Sequence, residues 1–232
     1  MEITNLTVKY GEKTVFENFN LTLQDDKITC LLGASGVGKS TLLSAISGNV
    51  AYTGKITGAN TLSYIFQENR LIENVTVEKN LDLVLRSITK DKFTREKIID
   101  NVLKLVEMEN CKDIFPRELS GGMASRISMA RGFIYPSNTL LMDETFKGLD
   151  TALKQRLIKA FLNLYNENKR TVVFVTHSID EALILADEVF VLKGSPCEVS
   201  FSLTIAKNQQ DRKLTDDELD NARKQLLKNL ID

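Results

Sequence analysis

The chain has 232 residues, of which 43% are hydrophobic and 26% are charged, and its formal net charge is -1. This length and apolar content suffice for one α/β domain with an inserted subdomain, stabilised without disulfides or a structural metal. The near-neutral charge gives no global electrostatic basis for binding nucleic acid or an anionic membrane surface, so we expect no nucleic-acid partner.

The cysteines and the apolar runs indicate the compartment. Cys30, Cys111 and Cys197 are far apart and lack the paired spacing of metal ligands, so we expect reduced thiols in a cytosolic protein. The amino terminus lacks the basic and apolar regions of a signal peptide. No run approaches the ~20 apolar residues that a membrane helix needs. Any role at a membrane is therefore expected to depend on a partner.

The first part of the chain has the alternation of β-structure. Residues 3–10 predict a strand, and residues 15–19 and 21–23 predict two further antiparallel strands. The apolar run 28–32 predicts a buried strand. After the next helix, the sequence Thr53-Gly54-Lys55 predicts a turn, and residues 62–66 predict a short strand that ends just before Gln67.

A glycine-rich loop follows the buried strand. Its sequence, from Gly33 to Ser40, is Gly-Ala-Ser-Gly-Val-Gly-Lys-Ser, which fits the phosphate-loop pattern, and helical periodicity begins directly after it. Glycines let the backbone amides approach phosphate oxygens, and the helix start adds partial positive charge. Lys39 is predicted to bind the β- and γ-phosphates and Ser40 to ligate Mg²⁺. The loop therefore predicts binding of a nucleoside triphosphate.

The middle of the chain is predominantly helical. Helices are predicted over residues 77–88, from a cap at Thr94 through Met108, and over residues 121–133. Because this block has few strand signals and lies between two α/β portions, we interpret it as an inserted helical subdomain.

The last part of the chain returns to α/β structure. Strands are predicted over residues 139–142, 171–176, 189–192 and 199–205, and a helix over residues 153–165. Ser178 with Glu181 predicts a capping box for a helix through Ala186, and Thr215 with Glu218 predicts the cap of a terminal helix.

Two further motifs bear on phosphate chemistry. Asp143 and Glu144 follow a buried strand, so Asp143 is placed to hold Mg²⁺ through water and Glu144 to orient an attacking water. Ser120, Gly121 and Gly122 precede a helix and offer a hydroxyl and exposed amides, which predicts a second anion-binding helix start. Taken alone, the first motif is equally well an acidic loop, and the second is better explained as an ordinary helix cap.

Together these motifs resemble the ATP-binding subunit of an ABC transporter, most like the nitrate, sulfonate and taurine importer group, over about residues 2–205. The resemblance rests on the phosphate loop, Gln67, the segment 119–123, the Asp143-Glu144 pair, Leu149-Asp150 and His177. It implies a phosphate-loop NTPase (RecA-like) core with an antiparallel β subdomain and an inserted α-helical subdomain. The chain would be a single ABC ATPase domain, with its core in residues 1–70 and 134–232 and its helical subdomain in residues 71–133.

The resemblance also implies residue roles. Glu144 resembles the catalytic carboxylate, His177 the switch that contacts the γ-phosphate, and Gln67 the residue that senses the γ-phosphate through Mg²⁺. Tyr10 resembles the aromatic that stacks on adenine. The implied nucleotide-binding residues are Tyr10, Gly33, Ala34, Ser35, Gly36, Val37, Gly38, Lys39, Ser40, Thr41, Ser120, Gly121 and Gly122. The implied Mg²⁺ site comprises Ser40, Gln67 and Asp143.

Four positions depart from the family pattern. Met123 stands where the family usually has Gln, and it lacks the side-chain hydrogen bond. Thr145 replaces a common Pro, and Lys147-Gly148 replaces a more usual Ser-Ala. Because the phosphate-binding motifs remain, we expect the chemistry to survive these changes.

The resemblance further implies the assembly and the location. Two copies would bind two ATP molecules head to tail, together with transmembrane permease subunits and, in an importer, a substrate-binding protein. The chain would be cytoplasmic and peripheral on the inner face of the cell membrane, and it would energise uptake of a small solute of the nitrate, sulfonate, taurine or thiamine-precursor type. The alternatives are an export or lipoprotein-release ATPase, a soluble ABC ATPase, and a regulatory protein that does not hydrolyse ATP.

Overall fold

The computed structural model describes residues 1–231, which form nine β-strands and seven α-helices. The strands are β1 (Glu2–Tyr10), β2 (Lys13–Thr22), β3 (Ile28–Leu32), β4 (Thr53–Thr57), β5 (Leu62–Ile65), β6 (Thr139–Asp143), β7 (Thr171–Thr176), β8 (Glu188–Lys193) and β9 (Glu198–Thr204). The helices are α1 (Lys39–Ile46), α2 (Val77–Leu85), α3 (Lys92–Leu105), α4 (Gly121–Ile134), α5 (Thr151–Glu167), α6 (Ile179–Leu185) and α7 (Asp217–Ile231).

Two sheets confirm the predicted α/β class with an antiparallel part. A three-stranded antiparallel sheet has the order β2-β1-β4. A six-stranded sheet has the order β5-β6-β7-β3-β8-β9, and its first five strands are parallel. Because parallel strands end at the same edge, the segments that follow β3, β6 and β7 are neighbours. This edge therefore brings together the phosphate loop, Asp143 and His177.

The large sheet separates two apolar cores. Along β3, Leu31 packs with α1 and the small sheet, whereas Cys30 and Leu32 pack with the helices on the opposite face. All three side chains are fully buried. Burying a side chain of this size stabilises a fold by about 1.5–3 kcal/mol, so β3 and the loop after it rest on both cores.

The helices of residues 71–134 share a core with the rest of the chain. Helices α2, α3 and α4 contact one another, and α4 also contacts α5 and β5. The predicted division into residues 1–70 with 134–232 and a subdomain of residues 71–133 stays a prediction, and Asp232 lies outside the described residues. Within residues 1–231, no helix combines the length and the apolarity that a membrane crossing demands.

Two predictions about the strands were wrong. Residues 15–23 were expected to form two strands, but β2 is a single strand, with Asn18 at a φ of 50° and shifts of register against β1. Thr53-Gly54-Lys55 was expected to be a turn, but it lies in β4. Gly54 has a φ of 102°, and a Cβ there would lie 2.3 Å from the Asn5 carbonyl oxygen. The glycine thus permits close pairing of strands rather than a chain reversal.

Two predicted helix starts were wrong, and two helices end early. Helix α3 begins at Lys92 and is capped by Asp91, which accepts a 2.9 Å hydrogen bond from the Thr94 amide. Helix α7 begins at Asp217 rather than at a Thr215 cap. Helices α2 and α3 end at Leu85 and Leu105, each three residues before its predicted end.

The predicted capping box at α6 is half formed. The Ser178 hydroxyl accepts a hydrogen bond from the Glu181 amide, as expected. However, the Glu181 carboxylate accepts hydrogen bonds from Thr176 and Lys154. The Ser178 amide instead donates to the Thr176 hydroxyl at 3.0 Å. These bonds fix the residues on both sides of His177.

Candidate ATP-binding site

The phosphate loop lies between β3 and α1 and has a conformation that depends on glycine. Gly38 has a φ of 122°, and a Cβ there would lie 2.9 Å from Val15. A Cβ on Gly33 would lie 2.6 Å from the Leu192 carbonyl oxygen. Neither position can take a side chain without a shift of its neighbours, since real Cβ contacts are longer. The close packing fixes the loop at the carboxyl end of β3.

Lys39 spans the loop from the first turn of α1. Its ammonium donates hydrogen bonds of 2.8 Å to the carbonyl oxygens of Gly33 and Ala34, and the residue is only 4% exposed. Burial lowers the pKa of Lys39, while the nearby carboxylates of Glu144 and Asp143 act in the opposite direction. Lys39 therefore places its ammonium inside the loop, bonded to two of the loop carbonyls.

Ser40 and Asp143 meet between α1 and β6. The Ser40 hydroxyl donates a 2.9 Å hydrogen bond to Asp143 Oδ1, and the Tyr64 hydroxyl donates a 3.3 Å bond to Oδ2. Burial and the charge of Asp143 both raise the pKa of Tyr64, so its phenol remains a donor. The sequence predicted Ser40 and Asp143 as partners, but it did not predict Tyr64.

Glu144 follows Asp143 and is held in an uncommon conformation. Its φ is 41°, in the left-handed region that side chains other than glycine rarely adopt, and its side chain is 10% exposed. The carboxylate pairs with Lys147, and His177 Nδ1 lies 3.6 Å from its Oε1. Burial alone would raise the pKa of Glu144. The Lys147 hydrogen bond and the charges of Lys147, His177 and Lys39 instead hold it below its ordinary value.

A cavity of about 400 Å³ opens beside these residues. Tyr10, at the end of β1, is 51% exposed and forms part of its wall, as does Gln67 beyond β5. Three loop residues predicted for the site do not line it: Gly33 and Ala34 contribute carbonyls to Lys39, and Val37 packs on the small-sheet core. The cavity is lined by Tyr10, Lys13, Val15, Ser35, Gly36, Gly38, Lys39, Ser40, Thr41, Gln67, Glu144 and Lys147.

The Ser120 to Gly122 segment lies apart from this cavity. Within residues 1–231, none of its three residues is among those that line the cavity. Ser120 caps α4 by accepting a 3.3 Å hydrogen bond from the Met123 amide. A Cβ on Gly122 would lie 2.6 Å from Leu153, whereas one on Gly121 would meet nothing within 4 Å. Gly121 thus presents open backbone at the start of a helix.

Helix α4 is tied to the chain that follows Gln67. Arg131 donates hydrogen bonds of 2.7 Å to the Arg70 carbonyl and 2.8 Å to the Asn69 carbonyl. Ser128 donates a further 3.2 Å bond to Asn69. If α4 moves relative to residues 69–70, these hydrogen bonds must break unless both segments move together. The bonds therefore couple the position of α4 to that of residues 69–70.

The model of the ABC transporter family matches residues 16–147, which is more than half of the chain. The chain belongs to the ABC transporter ATP-binding family. This finding confirms the resemblance drawn from the motifs. Members of the ABC family are ATPases, and the chain is therefore an ABC ATPase.

Relatives extend the match. The aliphatic sulfonates import ATP-binding protein SsuB of Bacillus subtilis is 36% identical over 202 residues, 83% of this chain and 78% of that protein. The bicarbonate transport ATP-binding protein CmpD of Synechocystis is 35% identical over 198 residues, 80% of this chain and 70% of that protein. Both matches therefore cover most of this chain and most of each relative.

A solved structure bears out the fold. CbiO1 of Clostridium perfringens, described as part of the ABC transporter complex cbiONQ, superposes with a TM-score of 0.79. That match covers 88% of this chain and 87% of CbiO1 at 24% identity. At this identity the likeness shows the ABC fold alone.

Proposed function

We propose that this ABC ATPase energises an importer of a small anionic solute and works as a head-to-tail dimer of two copies. One observation carries the proposal: the described residues that line the nucleotide cavity do not include the open Gly121 backbone, which lies elsewhere on the same chain. A second copy would bring Ser120 and Gly121 over the cavity and complete two sites, each closed around ATP. Binding of ATP would thereby join the copies, and hydrolysis would release them.

Mg²⁺ fits the residues at the end of β6. A hard cation prefers oxygen ligands, and the Ser40 hydroxyl and the Asp143 carboxylate lie one hydrogen bond apart. Within residues 1–231, no cluster of three or more His, Cys, Asp and Glu side chains could hold a metal by itself. Ser40 and Asp143 would therefore hold Mg²⁺ together with ATP oxygens and water, with Gln67 contributing from the cavity wall. Bound Mg²⁺ would neutralise charge that develops on the phosphates.

Hydrolysis would depend on Glu144 and His177. Glu144 is partly buried beside the phosphate loop, and its neighbours hold its pKa below the ordinary value, so it can orient a water and accept its proton. His177 lies within reach of the same carboxylate and is half exposed, so it can turn toward a terminal phosphate. Lys39 and the loop amides would stabilise the transferred phosphoryl group by charge and position.

The membrane partner is a permease that would dock on residues 67–90, placing the chain on the inner face of the membrane. This stretch exposes the apolar side chains of Ile72, Leu83 and Ile88. Exposed apolar side chains on one segment favour burial against a partner. The Arg131 bonds link this stretch to α4, so docking and closure over ATP would be coupled.

The substrate class comes from the relatives, because a sulfonate and bicarbonate are both small anions. The test is uptake in proteoliposomes that contain the chain, a permease that co-purifies with it and any binding protein that accompanies them. We expect ATP-dependent uptake of radiolabelled alkanesulfonate, taurine, nitrate or bicarbonate, lost with Lys39→Ala. Efflux, or ATP hydrolysis without uptake of any of these anions, would contradict the importer proposal.

A further inference from the structure

Lys147 is a cation of the nucleotide cavity that the motifs did not assign. It lies in the turn after β6, where its amide donates a 3.0 Å hydrogen bond to the Glu144 carbonyl. This turn brings the Lys147 side chain back over Glu144, and its ammonium pairs with the Glu144 carboxylate. The side chain is 42% exposed and forms part of the cavity wall.

The cavity therefore has two lysines at its phosphate end, and both are occupied by acceptors from the chain itself. Lys39 is held by two loop carbonyls, and Lys147 is held by a carboxylate. Both side chains line the same cavity. A terminal phosphate that enters beside Glu144 would be repelled by that carboxylate unless a cation lies between them.

We propose that Lys147 is a specificity residue that binds the terminal phosphate of ATP, moving to it from Glu144 when the nucleotide enters. This inference rests on the proposed function, since it takes Glu144 as the group beside the terminal phosphate. A lysine suits such an exchange because its ammonium is a compact charge on a flexible four-carbon stem. Departure of Lys147 also frees the Glu144 carboxylate to accept a hydrogen bond from water.

The position of Lys147 distinguishes this role from a structural one. The turn after β6 is held by a backbone hydrogen bond from the Lys147 amide to the Glu144 carbonyl, and Gly148 adopts a φ of 74°. The Lys147 side chain is therefore not needed to form the turn. The Lys147 side chain is itself 42% exposed, and an ion pair made by so exposed an ammonium contributes little to folding. Loss of the ammonium should therefore alter binding of ATP more than it alters the fold.

The test compares ATP with ADP, because ADP lacks the terminal phosphate. Binding to the wild type and to Lys147→Met would be measured by calorimetry in EDTA, without Mg²⁺, so that ATP is not hydrolysed. We expect Lys147→Met to weaken ATP binding about tenfold and ADP binding less than about twofold, since one charge-assisted hydrogen bond is lost. Lys147→Arg should restore most of the preference for ATP.

Lys13→Met is the matched control. Lys13 also lines the cavity, but it pairs with Tyr10 across β1 and β2, at the predicted adenine end. Its loss should change ATP and ADP binding by the same factor. An unchanged ratio of ATP to ADP affinity in Lys147→Met would overturn the inference, with the proposed function intact if the wild type still hydrolyses ATP. A wild type that binds no ATP would overturn both.

Discussion

Replacement of Lys39 by alanine is expected to lower the affinity for ATP about a hundredfold, since at least two charge-assisted hydrogen bonds to phosphate are lost. In the absence of nucleotide, the ammonium is buried and bonded to the carbonyls of Gly33 and Ala34. When ATP binds, the Lys39 ammonium would exchange these neutral carbonyl acceptors for negatively charged phosphate oxygens. The stronger hydrogen bonds contribute to the binding free energy of ATP, and the alanine variant loses that contribution. Calorimetry without Mg²⁺ would measure the loss directly.

The control for this variant is Lys169→Ala, which removes an exposed lysine after α5. This variant also loses one positive charge, but Lys169 does not line the cavity. The ATP affinity of Lys169→Ala should therefore match that of the wild type. Circular dichroism would verify that Lys39→Ala remains folded. ATP affinity within about threefold of the wild type would contradict the role of the loop, since a phosphate contact is worth more.

Replacement of Glu144 by glutamine is expected to abolish steady-state hydrolysis, by about a thousandfold, while ATP binding is kept. Glutamine has the shape of the carboxylate but cannot accept a proton from water. Because ATP would no longer be cleaved, the two copies should accumulate as a dimer in the presence of ATP. Phosphate release measures the first effect, and light scattering after gel filtration measures the second.

Glu167→Gln, at the end of α5, provides the same chemical change far from β6 in the sequence and should leave both readouts at their wild-type values. Normal turnover by Glu144→Gln would remove Glu144 from the mechanism. His177 would then be the next candidate for positioning water, since it lies 3.6 Å from the Glu144 carboxylate.

The phosphate loop could be predicted from sequence because its determinants are local. A buried strand, glycines and a helix start occur within residues 28–46, and each has a fixed physical meaning. The neighbours of the loop could also be predicted from sequence, because Asp143 lies at the end of one apolar run and His177 follows another, and both runs form parallel strands. Parallel pairing then places both at the same edge as the loop.

The remaining contacts depend on packing that sequence does not report. Tyr64 reaches Asp143 because β5 and β6 pair in parallel, with Tyr64 opposite Leu141. Lys147 was visible only as a departure from the family pattern, and its pairing with Glu144 depends on the turn after β6. Glu181 was predicted to cap α6, but the tertiary partners Thr176 and Lys154 compete for its carboxylate.

The central claim is that each ATP site is shared between two copies, and a mixing experiment tests it most directly. Lys39→Ala disables the phosphate loop. Gly121→Asp places a negative charge at the start of α4, where a Cβ has open space, so the variant should fold. Each variant alone should be inactive, because both sites of its dimer carry a lesion.

In a mixed dimer, one site carries both lesions and the other carries none. An equimolar mixture should therefore regain about a quarter of wild-type ATPase activity if copies pair at random in a symmetric dimer, and mixed dimers captured through two different tags should show about half. Recovery of hydrolysis is the result that the shared site predicts. A mixture that stays inactive although mixed dimers are captured, or full activity of Gly121→Asp alone, would contradict it.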